Sequence, residues 1–122
     1  MKEYELQKAI CKYLDLQNVL YCGSMGGQYQ VHMSQRIKAK KSGYKRGFPD
    51  LFIYEPWGHY CGLAIELKVG YNKPTTYQKQ WIKNLSKNGY YATVCNDLDN
   101  AILLISSYLN NKLWKIKILY TN

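Results

Sequence analysis

Residues 47–68, GFPDLFIYEPWGHYCGLAIELK, decide the fold of this chain. One apolar run begins directly after Asp50, and a second run, residues 61–65, leads into the acid and the lysine of residues 66–68, ELK. Proline, tryptophan and glycine at 56–58 are a turn signal, so the two runs are predicted to form a β-hairpin. The hairpin would place the two acids at neighbouring positions of one sheet.

Helix and strand patterns flank the hairpin on both sides. Before it come a helix at 3–17, a strand at 19–23 and a glycine-rich loop that includes Gln28 and Gln30. A short basic helix at 34–42 follows, which Ser34 could cap and Gly43 could end. The hairpin strands are 50–54 and 60–67. After it come a helix that Thr75 or Thr76 could cap and Gly89 ends, a strand at 90–95, a helix at 97–110 and a last strand from Leu113 to Leu119, whose Lys115 and Lys117 suit an exposed edge. The order α-β-α-β-β-α-β-α-β predicts an α/β fold with a central mixed sheet flanked by helices.

The composition is that of one globular domain, residues 1–122. Hydrophobic residues make up 47% of the 122, which is ordinary for a packed core. No apolar stretch approaches the ~20 residues that span a bilayer, and the N-terminus has no signal-peptide pattern. The four cysteines show no zinc-ligand spacing and are predicted to be free thiols. We therefore expect a cytosolic or nuclear protein without a membrane partner.

The charge is strongly basic, with 17 lysines and arginines against 8 acids and a net charge of +9. This balance predicts a polyanionic partner, and nucleic acid is the leading candidate. No acid occurs between Leu16 and Pro49, where six cations and a tyrosine form a predicted nucleic-acid-binding arm: Arg36, Lys38, Lys40, Lys41, Tyr44, Lys45 and Arg46. The alternative is an ordinary solvated charged surface. His32, at the start of this arm, is either a proton donor or a surface residue.

The acids and the lysine of the hairpin fit a site for a divalent cation. Two carboxylates brought together on buried strands are costly unless a cation lies between them. Mg²⁺ prefers hard oxygen ligands and keeps several waters, so Asp50, Glu66 and the backbone carbonyl of Leu67 would suffice. Glu66 and Lys68 emerge on one face of a strand, so the ammonium can reach a scissile phosphate or an attacking water. The alternative is that they form an ordinary exposed ion pair. With the basic surface, the site predicts metal-assisted cleavage of nucleic acid.

Four separated motifs of this chain resemble one known family. In order they are KEYELQKAICKYL, GFPDLFIYEP, GLAIELK and TTYQKQWIKNLSKNGY. They are similar to the VRR-NUC (virus-type replication-repair nuclease) branch of the PD-(D/E)XK nuclease superfamily, and the likeness covers residues 3–109. The resemblance implies a restriction-endonuclease-like core. It also implies a stand-alone copy of the domain, of the kind found in phages and bacteria, working in the cytoplasm of a bacterial or phage-infected cell.

The resemblance also implies roles for the acids and the lysine. Asp50 and Glu66 match the metal-binding acids, and Lys68 matches the catalytic lysine. Glu3 matches the first-helix glutamate, which would help to hold water at the metal or a second metal. Glu5 is the alternative for that position, but Glu3 shares a helix face with residues 7, 10 and 14, whereas residue 5 lies well round the helix from it.

Two glutamines match the family's helix glutamines, which border the site. Gln7 lies on the first helix. Gln78 lies on the helix after the hairpin, where its amide could bind a phosphate or the catalytic lysine. In either case the alternative is an ordinary helix-surface residue.

The function implied is a Mg²⁺-dependent endonuclease, with Mn²⁺ expected to substitute, acting on branched DNA such as a Holliday junction or flap in replication, recombination or repair. Such stand-alone domains often pair, so a homodimer is expected. Two rivals remain open: a non-catalytic nucleic-acid-binding module or accessory subunit that keeps the nuclease fold, and a small basic protein that binds nucleic acid through charge alone.

Overall fold

The computed structural model describes residues 1–24 and 32–121, of which 111–121 are described by their backbone only. Gln28 and Gln30 of the glycine-rich loop therefore lie outside the described residues. Its elements are α1 (Glu3–Leu16), β1 (Tyr21–Gly23), α2 (Met33–Lys41), β2 (Leu51–Ile53), β3 (Leu63–Leu67), α3 (Thr76–Lys87), β4 (Tyr91–Cys95) and α4 (Leu98–Thr121). Within this described part, no helix has both the length and the apolar character needed to cross a membrane.

The four strands form one mixed sheet in the order β1-β2-β3-β4. β2 pairs antiparallel with β3, with Leu51 opposite Ile65, so the predicted hairpin is confirmed. β1 pairs antiparallel with β2, and β4 pairs parallel with β3. Parallel neighbours need a crossover connection, which α3 supplies. The expected α/β architecture with a central mixed sheet is therefore confirmed.

The two faces of the sheet are covered by different helices. Leu6, Ile10 and Leu14 of α1 share one core cluster with Ile105 of α4 and with Leu51, Ile53, Leu63, Ile65 and Leu67 of the hairpin strands. The opposite face packs Phe52 and Ala64 against Leu85 of α3. Successive residues of a strand point to opposite faces, so Glu66 lies on the α3 side of β3. That side carries the candidate site.

Capping residues set the starts of the two helices on either side of the hairpin. Thr75 is the N-cap of α3, and its hydroxyl accepts a hydrogen bond from the backbone N–H of Gln78 at 3.2 Å. The N-cap of α2 is His32, so the expectation that Ser34 caps this helix is wrong. Gln35 explains the earlier start, because its side-chain carbonyl accepts from the His32 backbone N–H at 3.1 Å. Gly43, with φ of +98°, follows the end of α2 as expected.

The predicted last strand, Leu113 to Leu119, is wrong. Helix α4 continues without a break from Leu98 to Thr121, and thus also passes the predicted helix end at residue 110. Residues 110–112, Asn-Asn-Lys, include neither glycine nor proline, so no strong helix breaker separates the two segments. The apolar residues at 113, 116 and 120 also fit helical spacing, which makes the segment ambiguous between helix and strand.

Candidate active site

Asp50 and Glu66 lie together on the α3 side of the sheet. Asp50 directly precedes β2, and extending the β2–β3 register by one residue places it opposite Glu66. Glu66 is only 2% exposed and is the one charged residue in the buried core of the described chain. The two side chains share a hydrogen bond. The sequence-based expectation that these two acids meet therefore agrees with the geometry.

Three groups hold the carboxylates in place. The backbone N–H of Leu67 donates to Asp50 Oδ2 at 2.8 Å. The Gln78 side-chain amide donates to Glu66 Oε2 at 3.2 Å, and the ammonium of Lys68 lies 4.0 Å from the same oxygen. The other oxygen, Glu66 Oε1, is buried without a hydrogen-bond partner among the described residues. Leaving a buried carboxylate oxygen without a partner is costly, and a ligand bound to this atom would remove that cost.

The environment favours a proton on Glu66 when no cation is bound. Burial, the hydrogen bond with Asp50 and the negative charge of Asp50 raise the pKa of Glu66 well above its usual value. Lys68 opposes this rise, and Glu3 adds a smaller contribution to it. Two acids held this closely cannot both ionise at low cost. In the metal-free protein the proton on Glu66 reduces the repulsion between the two carboxylates, and a bound cation would reduce it in the same way.

The donor set fits a hard divalent cation at Asp50 and Glu66. Both supply carboxylate oxygens, and Glu66 Oε1 has no protein partner to lose. The N–H and C=O of one strand residue point towards the same neighbouring strand, so the Leu67 carbonyl is expected on the side of Asp50. No group of three His, Cys, Asp or Glu side chains in the described residues could hold a metal ion. Waters and backbone oxygen would complete the shell, as is usual for Mg²⁺.

The remaining family-matched residues lie around this pair. Gln7 of α1 donates its amide to the backbone carbonyls of Asp50, at 3.3 Å, and Ser24, at 3.4 Å, and so holds the start of β2 against the end of β1. Glu3 accepts a hydrogen bond from the Asn72 side chain at 3.2 Å. Glu3 therefore contacts the loop after Lys68, and its part in metal binding stays a prediction.

The cations of the predicted basic arm are exposed, whereas its tyrosine is half-buried. α2 has no buried residue, and Lys38, Lys40 and Lys41 form its last turn, where cations also balance the helix dipole. Tyr44 is half-buried, and burial followed by the charges of Glu66 and Asp50 raises its pKa. Tyr44 therefore lies within the electrostatic reach of the acid pair.

Sequence reasoning missed three features of the site. The bond from the Leu67 N–H to Asp50 has no signature because a backbone donor is present at every non-proline residue. Asn72, the partner of Glu3, lies in a polar loop with no distinguishing pattern. Gln78 was expected to reach a phosphate or Lys68, whereas its partner is Glu66. The capping sequence at Thr75, which fixes where Gln78 lies on the helix, could have pointed to this contact.

Comparison with known proteins identifies the family. The model of the VRR-NUC domain matches residues 1–97. A solved structure described as a VRR_NUC domain protein has a TM-score of 0.76 and 31% identity, over 90% of this chain and 89% of that chain. Another, described as a VRR_NUC domain, has a TM-score of 0.60 and 20% identity, over 87% of this chain and 96% of that chain, and supports the fold alone. None of the curated proteins matches. The chain therefore belongs to the VRR-NUC family and has its nuclease-type fold.

Proposed function

We propose that this protein is a Mg²⁺-dependent endonuclease that hydrolyses phosphodiester bonds of branched DNA. The observation that carries the proposal is the Asp50–Glu66 pair, in which Glu66 is buried, with Lys68 beside it on the fold of a nuclease family. A binding module or a charge-only accessory protein needs none of these three residues, and a buried Glu66 beside a second acid would only reduce its stability.

Each residue of the site has a defined task in this proposal. Asp50 and Glu66 hold the cation, with the Leu67 N–H orienting Asp50 and the Gln78 amide orienting Glu66. When bound, Mg²⁺ supplies a Lewis acid for the phosphate oxygens and lowers the pKa of water. Lys68 lies next to Glu66, where its ammonium can donate to the attacking water or to a scissile phosphate oxygen as negative charge develops.

The substrate follows from charge and from family likeness. A net charge of +9 favours a polyanion, and the lysines of α2, together with Lys45 and Arg46, lie on the exposed surface. Branched DNA is the substrate that the VRR-NUC likeness implies. Two copies related by a two-fold axis would present two such sites to a symmetric junction, so we include a homodimer in the proposal.

The test is a cleavage assay on labelled four-way junctions, flaps, forks, linear duplexes and single strands. Each substrate is incubated with Mg²⁺, Mn²⁺ or EDTA. We expect cleavage of at least one branched substrate with either metal and none in EDTA. Asp50→Asn, which keeps an oxygen acceptor for the Leu67 N–H, is the matched inactive control. Binding that weakens with salt, without cleavage of any substrate, would favour the non-catalytic rivals.

A further inference from the structure

A cavity of about 220 Å³ lies between the loop before Asp50 and one face of α3. Six residues line it: Lys45, Arg46, Tyr77, Gln80, Trp81 and Asn84. The four residues of α3 fall at spacings of three, one and three, so they form one stripe along the helix. This stripe has no role in holding the acid pair.

The walls of the cavity are fixed to each other. The indole N–H of Trp81 donates to the backbone carbonyl of Arg46 at 3.0 Å. The Arg46 guanidinium lies over the Tyr77 ring, 4.7 Å from its centre. Gly47 lies so close to the backbone of Tyr77 that an added Cβ would be 2.6 Å from its carbonyl carbon. The loop is therefore anchored to the helix by three contacts, and the cavity is already formed.

The lining combines the groups that bind a nucleotide. Lys45 has no ion pair with a described residue, and the side-chain amides of Gln80 and Asn84 make no hydrogen bond with one, so all three can pair with a ligand. Amides pair with the polar edges of a base, aromatic rings contact its face, and cations pair with its phosphate. The volume is below the ~300 Å³ at which pockets for small ligands begin. The cavity is therefore suited to one flat base.

The cavity also lies close to the acid pair. Arg46 and Asp50 are four residues apart, so their Cα atoms are separated by at most about 14 Å even in a fully extended chain. DNA rises ~3.4 Å per nucleotide of one strand, so this distance corresponds to about four nucleotides at most. Helix α3 also connects the cavity to the acid pair, because Gln78 of this helix donates to Glu66.

We infer that this cavity binds one unpaired nucleotide of the DNA strand within a few positions of the scissile bond. The inference rests on the proposed function, and it adds a reason for preferring branched DNA. A base that is paired in a duplex is stacked and cannot enter the cavity, whereas a flap or an open junction offers one.

The test measures DNA binding in EDTA, so that it does not depend on cleavage. The probe is a fluorescent duplex with a single-stranded tail, in which one abasic residue is moved through the four positions next to the duplex. We expect one position at which the loss of the base weakens binding by roughly 5- to 150-fold, the range for a stacked base. In the double variant Gln80→Ala/Asn84→Ala the loss at that position should be smaller than in the wild type, because the base would keep its contact with the aromatic rings and lose only the two amides.

Lys45→Ala and Lys83→Ala form a charge-matched pair, because Lys83 lies on α3 but does not line the cavity. Lys45→Ala should weaken binding of the intact probe more than Lys83→Ala. Equal losses at all four abasic positions, or an unchanged loss in the double variant, would overturn the subsite. If the wild type cuts DNA and shows no abasic effect, only the subsite is wrong. If it shows the effect but cuts nothing, the subsite stands and the nuclease proposal is wrong.

Discussion

The Asp50 carboxylate accepts a hydrogen bond from the backbone N–H of Leu67 at 2.8 Å, although 17 residues separate the two along the chain. This contact turns the acid before β2 towards the acid in β3. It uses a donor that no side-chain substitution removes, so the orientation of Asp50 is set by the hairpin register. The chain thus brings two like charges together by means of its sheet.

Lys68 is expected to act in the chemical step more than in binding. Its ammonium lies 4.0 Å from Glu66 and only 12% of its side chain is exposed, which leaves it little freedom to hold a distant phosphate. Lys68→Ala should lower the cleavage rate by about 100-fold or more, as for loss of a positioned proton donor. Binding of uncut DNA in EDTA should change little. An equal loss in both assays would make Lys68 a phosphate anchor.

The stability of the metal-free protein should fall as the pH rises. The pKa of Glu66 is raised in the folded state, so the folded protein binds this proton more tightly than the unfolded chain does. The stabilisation is complete below the ordinary glutamate pKa of ~4.3 and is lost progressively as the pH rises through the raised pKa of the folded state. Urea unfolding in EDTA at pH 5, 7 and 8.5 measures the slope. Mg²⁺ should flatten it, and a slope of opposite sign would show that Glu66 is ionised in the folded protein.

Glu66→Gln should make the metal-free protein more stable while abolishing cleavage. The amide cannot ionise, and it can accept from Gln78 and donate to Asp50 in the same place. At pH 8 in EDTA we expect a gain of about 1–2 kcal/mol in the free energy of unfolding. The slope of stability with pH should also be smaller than in the wild type. A loss of stability would mean that the Glu66 carboxyl group stabilises the metal-free fold.

Substitutions at Gln78 and Thr75 distinguish the stabilisation of the acid pair from the stabilisation of helix α3. Gln78→Ala removes the donor to Glu66 and half of the capping box, whereas Thr75→Ala removes only the cap. Both should cost about 1 kcal/mol in stability. Only Gln78→Ala should also weaken Mg²⁺ binding. The Mg²⁺ concentration needed for half-maximal cleavage should rise by roughly 10- to 100-fold, as for loss of other groups that orient a metal ligand. Equal Mg²⁺ titrations for the two variants would contradict this.

Gly47 and Gly43 form a matched pair for testing the anchored loop. Both have a positive φ, +90° and +98°, so alanine at either position should cost about 1–2 kcal/mol. An added Cβ meets the Tyr77 backbone at Gly47 and nothing within 4 Å at Gly43. Gly47→Ala should therefore lose a further ~1–3 kcal/mol and shift the segment that leads to Asp50. Comparison of thermal unfolding and of cleavage for the two variants checks this, and similar losses would argue against the contact.

The hairpin and its acids could be predicted because several local signals agree there. The turn at 56–58, the two apolar runs and the period-2 geometry of strands together fix which face Glu66 takes. The start of α3 could be narrowed to Thr75 or Thr76 for the same kind of reason, since a hydroxyl before an apolar stripe commonly caps a helix, and the structure has Thr75 as the cap.

Other features depend on distant partners, and short patterns do not contain them. Residues 113–119 alternate well enough for a strand, but a strand also needs an edge to pair with, and the helix before it has no breaker. Gln78 was placed near the site, yet its partner was not predicted, because that depends on how α3 crosses the sheet. The cavity beside Trp81 likewise exists only because the loop at Arg46 folds onto α3.

Helix α4 shows that the segment matched by the family model is shorter than the unit that folds. The match to the family model ends at residue 97, but Ala101, Ile105 and Tyr108 are buried in the same cluster as α1. The Tyr108 hydroxyl also donates to the backbone of Glu55 in the hairpin, at 2.7 Å. A polypeptide truncated after residue 97 would leave the apolar side of α1 and of the sheet open to water, and would aggregate even though every matched residue was present.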